Sequence, residues 1–338
     1  MPDQPPRPRR FRKRYALLAL LLLLVVFALG PRASSREPDV AAVARAVPTD
    51  LRALAAWVAQ RERAAGVTDT FVAATLTFAG DTARTPYAVV YLHGFSGTRQ
   101  ESSPVAARVA QALGANLFEV RLTGHGLPSD SMKRATAEAW MADAARALTI
   151  GARLGDSVVV IGLSTGGTLA SWVTAIGDSA LVRPHTVALV SPNFGPQDRM
   201  ARALLLPWMP TLLPRAMPAI TLDDTANLTD ERRRMATHRI PIEATFPMQA
   251  LVDRVQHMPL RGYTVPTIAL WNLDDPIVKS DAIATWMRAL ETRGAPVARV
   301  TLVPAAGENP HVLAGRILSP GKVDTVVTRI VGFVRARR

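Results

Sequence analysis

Along most of this chain, short unbroken apolar runs alternate with stretches whose apolar positions recur every three or four residues. Runs at 71–78, 87–92, 116–120, 158–161, 186–190, 267–271 and 298–303 are bounded by turn formers, as buried strands are. Between them, residues 104–113, 136–150, the segment after 164, 281–290 and 322–334 carry helical spacing, and so does 50–67 ahead of the first strand. Strands alternating with helices predict an α/β fold around a mostly parallel, doubly wound sheet. The alternation stops at about 195–262, where prolines break up bulky apolar residues: Leu204-Leu205-Leu206-Pro207-Trp208-Met209-Pro210, then Leu212-Leu213-Pro214 and Met217-Pro218. Short broken helices are expected there, forming a cap at the sheet end where α/β proteins bind ligands.

The first residues follow a different pattern. Residues 1–14 hold six arginines and lysines against Asp3 alone, and Tyr15 to Leu29 then reads YALLALLLLLVVFAL before Gly30-Pro31. A basic tail ahead of an apolar run predicts an uncleaved transmembrane signal anchor, favoured over a cleaved signal peptide because Pro31 would follow the cut. The tail would stay cytoplasmic and the body would be exported, or secreted if the leader were removed. The expected organisation is a tail at 1–14, an anchor or signal peptide at 15–30, a tether and helix at 31–69, and one domain at 70–338 carrying the cap.

Charge and composition narrow the partners. Of the formal charge of +13 across 338 residues, +5 lies in the tail, and the rest is spread without a basic stripe interleaved with aromatics. Nucleic acid is therefore not an expected partner. The chain has no cysteine, which excludes disulfides, a cysteine nucleophile and thiolate metal sites. No cofactor or metal is implied.

Candidate chemistry starts at VVVIGLSTGG, residues 158–167, where a β-branched run ends in glycines bracketing Ser164. A strand-to-helix reversal this tight strains its central residue and needs small neighbours two positions either side. Such turns also arise simply where a helix packs close to a sheet. A nucleophile at Ser164 would need a base, an orienting acid and oxyanion donors. The strand at 87–92 ends in His93-Gly94-Phe95-Ser96-Gly97, and the backbone N–H groups of Phe95 and Thr165 are the candidate oxyanion pair; an ordinary strand-ending turn is the alternative. Asp274 and Asp275 follow the strand at 267–271, where either could orient an imidazole or merely cap a turn. Among six histidines, only His311 lies in a loop after the last strand and downstream of the acid.

These residues resemble the α/β-hydrolase superfamily, in particular its carboxylesterase and monoacylglycerol-lipase-like branch, over about 70–335. The resemblance rests on Leu92-His93-Gly94-Phe95-Ser96-Gly97, Arg121-Leu122-Thr123-Gly124-His125-Gly126, the Ser164 turn, Asp275-Pro276-Ile277-Val278 and His311-Val312-Leu313. It implies an α/β-hydrolase fold with a helical cap, favours Asp275 over Asp274, and gives the 121–126 turn a structural role, leaving His125 outside the catalytic set. It also implies a serine hydrolase that cleaves carboxylic esters of apolar groups through Ser164, His311 and Asp275. Leu205 and Met209 are the candidate cap residues for a lipid-derived ester. A thioesterase, amidase or peptidase on the same fold is the first alternative, and a non-catalytic lipid-binding protein the second.

Overall fold

The computed structural model describes residues 9–222 and 228–337. In chain order its elements are α1 (Arg9–Ala28), α2 (Val40–Arg45), α3 (Leu51–Ala64), β1 (Thr75–Thr77), β2 (Thr85–Leu92), α4 (Val105–Leu113), β3 (Asn116–Glu119), α5 (Ala137–Leu154), β4 (Gly155–Leu163), α6 (Thr165–Ala175) and β5 (Thr186–Val190). They continue with α7 (Met209–Ala216), β6 (Ala219–Thr221), α8 (Asp230–Met235), β7 (Arg239–Pro241), α9 (Thr245–His257), β8 (Thr267–Trp271), α10 (Ser280–Thr292), β9 (Val297–Thr301) and α11 (Val323–Arg335).

Seven strands form one sheet in the order β1-β3-β2-β4-β5-β8-β9, parallel except for β1, which runs antiparallel to β3 at the edge. The central strands are buried on both faces, which is why they read as continuous apolar runs rather than alternating ones. Ala88, Val90 and Leu92 of β2, with Val158 and Val160 of β4, face a core that takes Trp140 and Leu148 of α5 and Leu169 and Trp172 of α6. Tyr87, Val89 and Tyr91, with Val159, Ile161 and Leu163, face the other, filled by Val105 and Val109 of α4 and Val326, Ile330 and Val334 of α11. From β2 the chain winds outward through β3, and from β4 outward the other way. The strand order therefore reverses between β2 and β4, and at such a reversal α/β sheets bind their ligands.

Between β5 and β8 the helices are mostly short, although Pro210 and Pro214 lie within α7 and Pro247 within α9. This insertion consists of a 3₁₀ turn at Arg199–Leu205, the short helices α7 and α8, the two-stranded ribbon β6–β7 and the longer α9. The expected run at 71–78 shrinks to the three-residue β1, and a short helix not anticipated from sequence, α2, lies within 31–49. Its Val40, together with Val47, is buried in the same core as Leu54 and Val58 of α3, and Ala44 is buried as well. Helix α3 starts at Asp50, whose carboxylate accepts from Ala53 N at 2.7 Å and satisfies an otherwise unpaired N-terminal amide.

The structure corrects the expectation of a membrane anchor. Among the described residues no helix is long and apolar enough to cross a membrane. Helix α1 has 20 residues, but it opens on RRFRKR, so its apolar part runs only from Tyr15 to Ala28. At about 1.5 Å per residue that part spans roughly 21 Å, well short of the roughly 30 Å hydrocarbon core. The transmembrane signal anchor, and the membrane-anchored, exported placement built on it, are withdrawn with it. Of the expected basic tail, residues 1–8 lie outside the described residues, and 9–14 form the first turns of α1.

Candidate active site

Ser164 occupies the turn from β4 into α6 with φ 52° and ψ −117°, a conformation that side chains other than glycine rarely adopt. Its two glycine neighbours are demanded by close approach. A Cβ on Gly162 would lie 2.5 Å from Gly166 O, and one on Gly166 would lie 2.0 Å from Leu92 O. The surroundings over-determine the turn. Ser164 N donates to Val190 O at 3.0 Å, and Ser164 O accepts from Gly167 N at 2.9 Å and Asn193 N at 3.0 Å.

The loop after β2 lies directly beside it, since a Cβ on Gly94 would sit 3.3 Å from Ser164 Cβ. Two buried histidines brace this loop. His93 Nε2 accepts from Leu122 N at 3.0 Å, so the proton sits on Nδ1, which donates to Gly94 O at 2.8 Å. His125 Nε2 accepts from Ser96 N at 3.2 Å, and its Nδ1 donates to Thr123 O at 3.2 Å. Burial holds both rings neutral, driving His93 well below the usual range and His125 down to about 4. The amides of Phe95, in the loop beside Ser164, and of Thr165, which follows it, donate to no acceptor among the described residues.

The neutral state of His125 has a consequence for stability. Between about pH 6.5 and 4 the unfolded chain takes up a proton that the folded ring refuses. The ring's contribution is thus complete above 6.5 and is lost as pH falls through that window, at up to about 1.4 kcal/mol per pH unit. The difference in Tm between wild type and His125→Gln should therefore shrink steadily from pH 7 to pH 4 in a thermal melt. A constant difference would mean that the ring is not held neutral.

Asp275 and His311 come from the loops after β8 and β9. Asp275 is 1% exposed. Its Oδ1 accepts from Ile277 N at 2.8 Å and Val278 N at 3.0 Å, which turns Oδ2 towards His311 Nδ1 at 2.7 Å. The Nδ1 proton lies in that bond, leaving Nε2 as the free acceptor. Asp274, by contrast, is exposed. The histidine loop is fixed by Asn309, whose Oδ1 accepts from His311 N at 2.9 Å and Val312 N at 2.8 Å. Ser191, next to the Val190 that holds Ser164, donates its hydroxyl to His311 O at 2.7 Å.

The structure thus joins His311 to Asp275 directly, and joins both to the Ser164 turn through β5. No hydrogen bond links Ser164 Oγ to His311 Nε2 among the described residues; such catalytic contacts commonly tighten only around a substrate. Ser191, Asn193 and Asn309 were not singled out in the sequence. Ser191 and Asn193 bond backbone groups of distant segments, and only Asn309, just before Pro310-His311 and bonding its own loop, stands within a motif.

The insertion is pinned to the Phe95 loop. Thr237 N donates to Ser96 O at 2.7 Å, and Thr98 Oγ1 donates to Met235 O at 2.9 Å. Leu205 ends the 3₁₀ turn and Met209 begins α7, and both are half-buried.

The sequence model of the alpha/beta hydrolase family matches residues 89–317. Over 84 residues the chain is 36% identical to a thermostable monoacylglycerol lipase of Bacillus sp. (strain H-257), covering 25% of this chain and 33% of that protein, so the match spans about a third of the relative. A structure from work on two metagenome-derived lipolytic enzymes superposes with a TM-score of 0.60 at 18% identity, covering 79% of this chain and 98% of the other. A soluble variant of monoglyceride lipase from Saccharomyces cerevisiae superposes with a TM-score of 0.54 at 15% identity, covering 78% and 91%. At these identities the superpositions establish a shared fold.

Proposed function

Since this chain belongs to the alpha/beta hydrolase family, we propose that it is a serine esterase acting on carboxylic esters of apolar acyl or alkyl groups. The observation that carries the reading is the 2.7 Å bond from His311 to the buried Asp275, at the sheet end where Ser164 leaves β4 beside the Gly94 loop. Ser164 Oγ attacks the ester carbonyl carbon, and its proton passes to His311 Nε2. The carbonyl oxygen, now negative, takes hydrogen bonds from Phe95 N and Thr165 N. As the tetrahedral centre collapses, the alkoxide leaves with the proton from His311, and the acyl group remains on Ser164. Water then attacks that ester, gives its proton to His311 and releases the acid, and Ser164 recovers its proton. Asp275 stays ionised throughout, holding the ring and stabilising the imidazolium.

In this reading, residues 70–338 are the catalytic domain and 195–262 its cap. Helix α7 supports the assignment, because it buries none of its apolar residues fully and so is not simply a core helix. The likeness over 84 residues to a protein named a monoacylglycerol lipase favours a lipid-derived ester. Each buried CH₂ contributes about 0.8 kcal/mol, so kcat/KM should rise about fourfold per added carbon until the pocket is full. Across p-nitrophenyl esters from acetate to dodecanoate the maximum should lie beyond acetate. Leu205→Asp or Met209→Asp should flatten that rise with little change for acetate. A flat wild-type profile would contradict an acyl-binding cap.

A further inference from the structure

One buried carboxyl beside the site has no part in the reaction just described. Glu101 is 6% exposed and lies in the 3₁₀ turn Arg99–Ser102, directly after the Phe95 loop. Its Oε1 accepts a short hydrogen bond from Gly94 N. The loop is wrapped around the carboxyl, since a Cβ on Gly94 would lie 3.1 Å from Oε1 and one on Gly97 only 2.0 Å from Oε2. The same turn holds the histidine loop. Ser102 Oγ donates to Ala314 O at 2.7 Å, Arg316 N donates to Ser103 O at 2.8 Å, and a Cβ on Gly315 would lie 2.3 Å from Glu101 O.

We propose that Glu101 is a positioning residue that holds the Phe95 loop as a neutral acid, and that its ionisation switches ester hydrolysis off at alkaline pH. The inference rests on the serine-esterase reading of Ser164. No cation bonds Glu101 among the described residues. From β2 Tyr91, whose buried hydroxyl is within its electrostatic reach, is a neutral neighbour. Glu119 of β3 and Arg99 of its own turn pair with each other at 3.4 Å, while the Arg316 guanidinium is held by Glu231 at 2.7 Å. Desolvation therefore dominates and lifts the carboxyl to about 8, against the smaller opposing pull of the Gly94 amide. Below that pH the loop encloses a neutral acid. Above it, a carboxylate sits across Gly94 from Ser164 and near the proposed place where the substrate oxygen becomes negative, which disfavours the transition state more than bound ester.

The test is the pH dependence of kcat for wild type and Glu101→Gln on p-nitrophenyl butyrate between about pH 6 and 10, corrected for spontaneous hydrolysis. Wild-type kcat should fall above about pH 8, by up to tenfold per unit. In Glu101→Gln, which keeps an acceptor for Gly94 but cannot ionise, that limb should disappear. Glu101→Ala, lacking the acceptor, should lower kcat at every pH with little change in KM. An unchanged alkaline limb in a folded Glu101→Gln would overturn the inference. If the variants fail to fold, infrared difference spectra of wild type between pH 6 and 9 serve instead: loss of a protonated-carboxyl band near pH 8 supports the inference, and its absence overturns it. Fluorophosphonate labelling of Ser164 at pH 7 separates the two levels, since its failure would sink the esterase reading and its success would leave only Glu101 in question.

Discussion

Ser164→Ala is expected to abolish ester hydrolysis, with kcat/KM for p-nitrophenyl butyrate falling about 10⁴-fold or more. In the proposed mechanism the hydroxyl oxygen is the attacking atom, so alanine removes the nucleophile itself. The fold should survive. Ser164 is held through its backbone, by Val190 O on one side and by Gly167, Thr168 and Asn193 on the other, and its hydroxyl makes no hydrogen bond among the described residues. A melting temperature equal to or above that of wild type is therefore expected, as often follows when a strained active-site residue loses its functional group. Activity within tenfold of wild type in the folded variant would remove Ser164 as nucleophile.

Asp275→Asn should lower kcat by about 10³- to 10⁴-fold, whereas Asp274→Asn should stay within a fewfold of wild type. The asymmetry follows from the hydrogen bonds. The amides of Ile277 and Val278 require an acceptor and would keep the asparagine oxygen where Oδ1 now lies, at 2.8 and 3.0 Å. The new NH₂ group would then face His311 Nδ1, forcing that nitrogen to accept and moving the ring proton to Nε2. In that tautomer the ring cannot take the proton of Ser164. Asp274 has an exposed side chain, and its amide is already turned onto Asn272 Oδ1 at 3.1 Å. The reverse ranking in steady-state kinetics would assign the orienting acid to Asp274.

The central strands were legible because burial on both faces leaves unbroken apolar runs, residues 158–161 in β4, 187–190 in β5 and 268–271 in β8, and glycines mark where Ser164 leaves the sheet. Asp275 was harder. Its side chain differs from that of Asp274 only in direction, which the Ile277 and Val278 amides set, and only the resemblance at Pro276-Ile277-Val278 favours it in the sequence. Glu101 went unread because a glutamate in RQES looks like a solvated turn; only the folding of Gly94 and Gly97 over it takes it out of water. Helix α2 escaped notice because six residues hold too few turns to show a period, and its buried Val40 and Ala44 gain their meaning from α5. A basic tail before the apolar run of α1 points to an anchor, but the run is too short to cross a membrane.

The most direct measurement is the stoichiometry and position of covalent labelling by a fluorophosphonate, read by mass spectrometry of the intact protein and its peptides at pH 7. If Ser164 is activated by His311 and Asp275, one equivalent should add to the folded protein on the peptide containing Ser164. Incorporation should be lost on unfolding and slowed by orders of magnitude in Asp275→Asn. No incorporation, or a label carried on another residue, would contradict a serine esterase built on Ser164.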